Sequence, residues 1–332
     1  MNCKMRLSSL SLYIAVGASL LAAGCTRPKP ETIREPVADL SSLMRDYGTL
    51  PPKVRQDSLN AYLPEISAFM KVVSGEPVTD SMLVAWSASP VVTRFTATVD
   101  SVFPTLEPLE SDLGFILDSG RRHGLDLPCR RYAAVTYGRP EAVLFVDSVM
   151  LVALNHFLGP EFPGYSRWPV YRRTEKSPEN LPYALSEAMI ATRYPYQATP
   201  EESTLLSRML YEGALAEAKL ATVPDATVQG VFGYDAADLS LLTEREGELW
   251  RQIIAAGLLY DTSTMTSARF TEPSPGITVL PSAWPARAGR FIGYRIVSSY
   301  IKQHPDATLP QLLSPSFYNS SQTLAQASYR PK

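Results

Sequence analysis

Three acidic residues stand on faces of the chain that are otherwise apolar. In LPYALSEAMIAT, residues 181–192, Glu187 is the only charged side chain. Helical spacing sets Tyr183, Ala184, Glu187, Ile190, Ala191 and Tyr194 on one face, and Leu181, Leu185, Ala188, Met189 and Thr192 on a second stripe. Only Ser186 and Arg193 are left for water, so this helix is expected to be largely buried. An ionised group within it needs a partner or a shifted pKa. The same arrangement recurs in ESTLLSRMLYEGALAEAKLAT, where Leu205, Met209, Glu212, Ala216 and Leu220 align and Gly213 permits a close helix approach. A third stripe, Leu239, Leu242, Glu246, Leu249 and Ile253, carries another acid.

Two kinds of chemistry suit such a trio. Paired carboxyl groups can act as general acid and base across a scissile bond, as in glycosidases, and clustered carboxylates can hold a divalent metal. The structural alternative pairs each acid with a base, for instance Arg287, Arg290 or Arg295, in a buried network that fixes helix packing. The other catalytic patterns are missing. His123, His156 and His304 are far apart, no His-x-x-x-His pair occurs, and there is no Gly-x-Ser-x-Gly elbow. Ser299-Tyr-Ile-Lys302 matches Ser-x-x-Lys, but the companion Ser-Asp-Asn and Lys-Thr-Gly elements are absent, so it reads as coincidence. No cofactor is expected.

A separate binding candidate is FPGYSRWPVYRR, residues 162–173, with Phe162, Tyr165, Trp168 and Tyr171 three apart. Pro163 and Pro169 argue against an ordinary helix. A period of three suits an extended polyproline-like segment showing one aromatic edge, with Tyr165, Trp168 and Tyr171 able to stack on sugars or a peptide or simply to cover the core.

The elements that must position these groups are mostly helices. Helical spacing covers residues 57–73, interrupted at Pro64, then 80–88, 93–102 and 108–123. Residues 131–137, 142–146 and 150–154 are short, apolar or β-branched, and separated by Gly138-Arg139-Pro140 and Asp147-Ser148. They predict a small antiparallel sheet. Helices return over 179–193, 200–222, 235–259 and 285–303. In the last of these Gly289 and Gly293 share a face with Ile292, Ile296 and Tyr300, so it can lie close to a neighbour. The expectation is an α+β, mainly helical single domain over 53–313, followed by a disordered Ser/Gln-rich tail over 314–332.

The N-terminus has the three parts of an export signal: Lys4 and Arg6, an apolar run over 10–21, and Leu20-Leu21-Ala22-Ala23-Gly24-Cys25. The run is too short to span a bilayer. Its end resembles a lipobox, which predicts a signal peptide over 1–24, lipidation at Cys25 and a proline-rich tether over 25–52. No acidic block follows Cys25, which favours a periplasm-facing position over surface display. Of the three cysteines, Cys3 leaves with the signal and Cys25 carries lipid, so Cys129 has no partner for an intramolecular disulfide. The formal charge of −2 becomes two units more negative without Lys4 and Arg6. The Arg121-Arg122, Arg130-Arg131 and Arg172-Arg173 pairs are scattered, so no nucleic-acid footprint appears.

The order of LNHFLGPEFPGY, the Glu187 helix, MLYEGALAEAKLATVPD, GYDAADLSLLTEREGELW and WPARAGRFIGYRIVSSYIK resembles the GldB family of gliding-motility lipoproteins of Bacteroidetes, over about residues 99–313. That family is itself similar to zincin-type zinc peptidases, with His-Glu-x-x-His on one helix and Glu-Gly on the next. The resemblance puts Glu187 at the general base and Glu212-Gly213 at the third ligand, while Ser186 and Ile190 hold the histidine positions. Neither can offer an imidazole nitrogen to zinc. The resemblance therefore implies a zincin-like fold with a degenerate metal site. It also implies a noncatalytic role in envelope machinery, exercised through a lipid anchor and an envelope protein partner.

Overall fold

The computed structural model describes residues 33–75, 77–128 and 131–331. The leader, Cys25 and the tether as far as residue 32 lie outside the described residues, as does Cys129.

The first described residues are already part of the fold. Glu35 N–H donates to the Glu110 carbonyl at 3.1 Å and Arg34 pairs with Glu107 at 3.1 Å. Strand β1 (Val37–Asp39) leads into helix α1 (Leu40–Asp46), which is capped by the Asp39 side chain accepting from Ser42 N–H at 2.9 Å. The tether predicted to reach residue 52 thus ends at least some twenty residues earlier. Proline content suggested a spacer, but Leu40, Met44 and Tyr47 are buried. Helices α2 (Pro52–Ala61) and α3 (Leu63–Val73) are separate because Pro64 can neither donate to the preceding turn nor clear its carbonyl. The hydroxyls of Thr79 and Ser89 cap α4 (Asp80–Ser87) and α5 (Pro90–Val102), and α6 (Glu107–Arg122) follows.

The sheet departs from the expected antiparallel arrangement. Strands β2 (Arg131–Val135), β3 (Val143–Val146) and β4 (Val149–Ala153) join β1 in the order β1-β2-β4-β3. Both β1 with β2 and β2 with β4 are parallel; only the β3-β4 hairpin is antiparallel, turning at Asp147 with φ 54°. Burial explains why. Every residue of β4 is buried, whereas β3 is half-buried along its length, so β4 takes the interior place and β3 the edge. Side chains alternate between two cores. Tyr132, Ala134, Met150 and Val152 face a layer that includes α6; Ala133, Val135, Leu151 and Ala153 face one that includes α1 and α3.

Beyond the sheet come α7 (Val170–Arg173), α8 (Leu181–Arg193), α9 (Leu205–Thr222), α10 (Val228–Phe232), α11 (Ala236–Glu244), α12 (Glu246–Ala255), α13 (Thr264–Thr271) and α14 (Ala288–Gln303). The helix expected over 235–259 breaks at Arg245 (φ −112°, ψ 22°), whose guanidinium is held by Glu248 at 2.7 Å. Helix α9 is the axis of this half and packs along α14. A Cβ on Gly213 would overlap the Gly293 backbone, and one on Gly293 would overlap the Met209 carbonyl. The close approach read from these glycines is therefore present.

The tail is ordered. Helices α15 (Leu309–Leu312), α16 (Pro315–Tyr318) and α17 (Thr323–Ala327) bring Phe317, Tyr318 and Ala327 into the core formed around α9 and α14. Its serines and glutamines suggested disorder, but the apolar residues between them decide its placement. The whole is α+β and mainly helical with a small mixed sheet.

Candidate functional site

Glu187 and Glu212 converge on one cation. Helix α8 presents Glu187, α9 presents Glu212 and Lys219, and the first turn of α14 presents Arg290 between them. Arg290 Nη1 lies 3.6 Å from Glu187 Oε1, and its Nε lies 3.2 Å from Glu212 Oε2 and 2.6 Å from the Thr271 carbonyl. Lys219 Nζ reaches Glu187 Oε2 at 2.6 Å and the Val231 carbonyl at 2.9 Å. Arg208, one turn before Glu212, completes the set at 2.8 Å. Each carboxylate thus has two cations, which is what an acid on an apolar helix face requires.

The electrostatics follow from that geometry. Burial pushes the Glu187 carboxyl up, but Lys219 and Arg290 more than offset it and hold it at about 2. Burial likewise opposes the Arg290 charge, and Glu212 and Glu187 together raise its pKa nonetheless. Glu246 is not part of this constellation. It lies on the other side of α14, where Arg295 Nε contacts its Oε1 and Oε2 at 3.1 and 3.0 Å and Tyr329 OH donates at 2.7 Å. Of the three arginines read as possible partners, Arg290 and Arg295 pair with the acids, while Arg287 pairs with Glu175.

Ser186 is fully buried and hydrogen-bonds Thr222 at 2.8 Å, and Ile190 is packed in the helical core. These two positions therefore serve packing. Among the described residues, no group of three or more His, Cys, Asp or Glu side chains is arranged to hold a metal ion. Ser299 donates to the Ala327 carbonyl at 2.8 Å, which ties α14 to the tail.

Glu187 also faces a cleft of about 490 Å³, with 35% of its side chain exposed there. Lys219, Arg290, Trp168, His156 and Lys176 share its lining. Sequence reasoning missed the last two. Lys176 is 7% exposed, 2.9 Å from His156 Nδ1 and 4.3 Å from the Trp168 ring centre. An ammonium has only donors, so Nδ1 accepts and the Nε2–H donates to the Arg139 carbonyl at 2.9 Å. Burial, aided by Lys176, lowers His156 to about 4, and burial lowers Lys176 to about 8.

The aromatic segment is not one extended edge. Pro163–Tyr165 forms a short 3-10 turn and Val170–Arg173 is helical. Tyr165 is buried, donating to the Asn155 carbonyl at 2.7 Å and accepting from Leu158 N–H at 3.1 Å. Trp168 lines the cleft and Tyr171 lines an adjoining one of about 730 Å³. The prolines that suggested a polyproline conformation instead occupy helix-initiating positions, where a missing N–H costs nothing.

Residues 34–331 match the family model described as gliding motility protein GldB. The chain belongs to the GldB family. This match extends beyond the stretch that carries the resemblance in sequence, taking in β1 and helices α1 to α4 at one end and the tail at the other. No curated protein and no solved structure matches the chain. Among the described residues of this GldB-family fold, no helix is long and apolar enough to cross a membrane.

Proposed function

We propose that this GldB-family chain is a noncatalytic envelope lipoprotein, held by lipid on Cys25 and facing the periplasm. In this reading it serves gliding motility or related envelope machinery by binding another envelope protein. The observation that carries the proposal is the Arg290 guanidinium set between Glu187 and Glu212. The similarity of the family to zincin-type zinc peptidases, as read in the sequence, would assign these two acids to a general base and a metal ligand. Here a side-chain cation engages both, and Ser186 and Ile190 replace the imidazoles. A carboxyl held at about 2 is also far from the pKa near 7 that suits proton transfer at neutral pH. The scaffold thus fits a retired peptidase better than a working one, and the paired acids fix helix packing.

The test is affinity purification of the tagged protein from detergent-solubilised envelopes, beside a Cys25→Ser variant. The wild type is expected in the membrane fraction with a stoichiometric companion, and the variant in the soluble fraction. Absence of any specific companion across several detergents would count against the binding role. Hydrolysis of envelope peptide or glycan that disappears in Glu187→Gln would overturn the noncatalytic one.

A further inference from the structure

We propose that the cleft beside Trp168 binds a small organic acid, a carboxylate monoanion with an apolar body, and that Lys176 is its counter-ion. The cleft holds about 490 Å³, within the range of small-molecule sites. Its cations are unequally committed. Lys219 and Arg290 engage Glu187, and Arg287 engages Glu175. Lys176 has no carboxylate within ion-pair distance among the described residues. Its direct contacts are a neutral imidazole and the faces of Trp168 and Tyr165, at 4.3 and 5.3 Å, while the nearby Glu175 is engaged by Arg287 and Arg172 adds a like charge. Ring faces and a lone pair compensate a desolvated ammonium only in part.

The vacancy in charge sets the ligand's charge. One buried ammonium balances one negative charge. Arg172 also lines the cleft without an ion pair among the described residues, but it is exposed and its charge is screened by solvent, so a phosphate dianion would lack a second buried, uncommitted cation. The wall sets the body. Ala142 and Val143 at the start of β3, with Phe157, Ala184 and Ala188, give the same cleft an apolar side. A carboxylate on Lys176 would leave its hydrocarbon part to these residues, and Glu187, in the same lining, would repel a second acidic group.

Hexanoate is the probe, titrated calorimetrically into the full-length protein in detergent, with micelles alone as the blank and Trp168 fluorescence as a second readout. We expect one saturable site, with hexan-1-ol, the same body without charge, at least about tenfold weaker. Lys176→Met, which keeps the side-chain length, is expected to weaken hexanoate by about tenfold or more while circular dichroism and thermal unfolding show a folded protein. Ala188→Phe, which fills the wall and leaves the charges alone, is expected to abolish binding. Lack of saturable hexanoate binding, equal binding of hexan-1-ol, unchanged affinity in both variants, or displacement by inorganic phosphate would each overturn the assignment.

Discussion

At the residue scale, two groups that line the cleft and titrate below neutral pH, His156 and Glu187, make the protein sensitive to acid in two steps. His156 has a folded-state pKa of about 4 against an ordinary 6.5, so the unfolded chain binds the extra proton first. Stability is therefore fully present above 6.5 and lost as pH falls from there to about 4. Glu187, held at about 2 against 4.5, adds a second loss between about 4.5 and 2. Urea midpoints measured between pH 7.5 and 3 should fall across both windows. His156→Gln should flatten the upper one, and a midpoint independent of pH between 6.5 and 4.5 would contradict the buried neutral imidazole. Arg290→Met should cost about 3–5 kcal/mol at pH 7, because Glu212 is 3% exposed and loses one of its two cations. Much of this network was legible beforehand. Acids on apolar helix faces demand bases, and Arg290 and Arg295 were within the helix that could supply them. Lys219 and Arg208 were legible in principle too, lying seven after and four before Glu212 on its own face. Lys176 was not, since its burial comes from a loop folding over Trp168 and no periodicity marks a loop.

At the scale of elements, the helices could be read more surely than the sheet because their packing is local in sequence while strand order is not. Pro64 marked the break between α2 and α3, and the glycines of α9 and α14 marked their approach. The parallel pairing of β2 with β4 depends on which strand is covered on both faces, and helices distant in sequence decide that. The α9–α14 contact also gives the sharpest test of how rigid the site is. Gly293→Ala places a methyl against the Met209 carbonyl, backbone that cannot rotate away. The helices must separate, and Arg290, one turn earlier on α14, must draw back from Glu212. We expect a loss at the upper end of the roughly 1–3 kcal/mol typical of overpacking, read as a lower urea midpoint with an unchanged slope. The helix-favouring effect of alanine over glycine, about 1 kcal/mol, acts the other way and is too small to win. A variant as stable as the wild type would mean that the two helices do not meet so closely in solution.

At the scale of the whole molecule, the tail decides whether the helical half is closed. It reaches across several elements at once. Tyr318 OH accepts from Gln197 N–H at 2.9 Å, and its ring packs on Tyr196 and Tyr211 at 5.3 and 5.4 Å. Asn319 links Ser207 and the Gln197 carbonyl, and Tyr329 OH reaches Glu246. If these residues were a loose end, ending the chain after Leu313 would leave thermal unfolding where it is. The packing predicts otherwise. Truncation removes buried aromatic surface from three helices and strips Glu246 of one of its two partners. The loss should exceed that of Tyr329→Phe alone, a hydrogen bond to a charged group worth about 1.5–3 kcal/mol. Scanning calorimetry of the wild type, Tyr329→Phe and the truncated chain should therefore give three descending midpoints. Equal midpoints for the wild type and the truncated chain would remove the tail from the fold. A truncated midpoint equal to that of Tyr329→Phe would reduce the tail's part to the contact at Glu246. The ordering matters for the site as well, since α9 carries both Glu212 and the Tyr211 ring on which the tail rests, and loosening one end of that helix loosens the carboxylate it presents to Arg290.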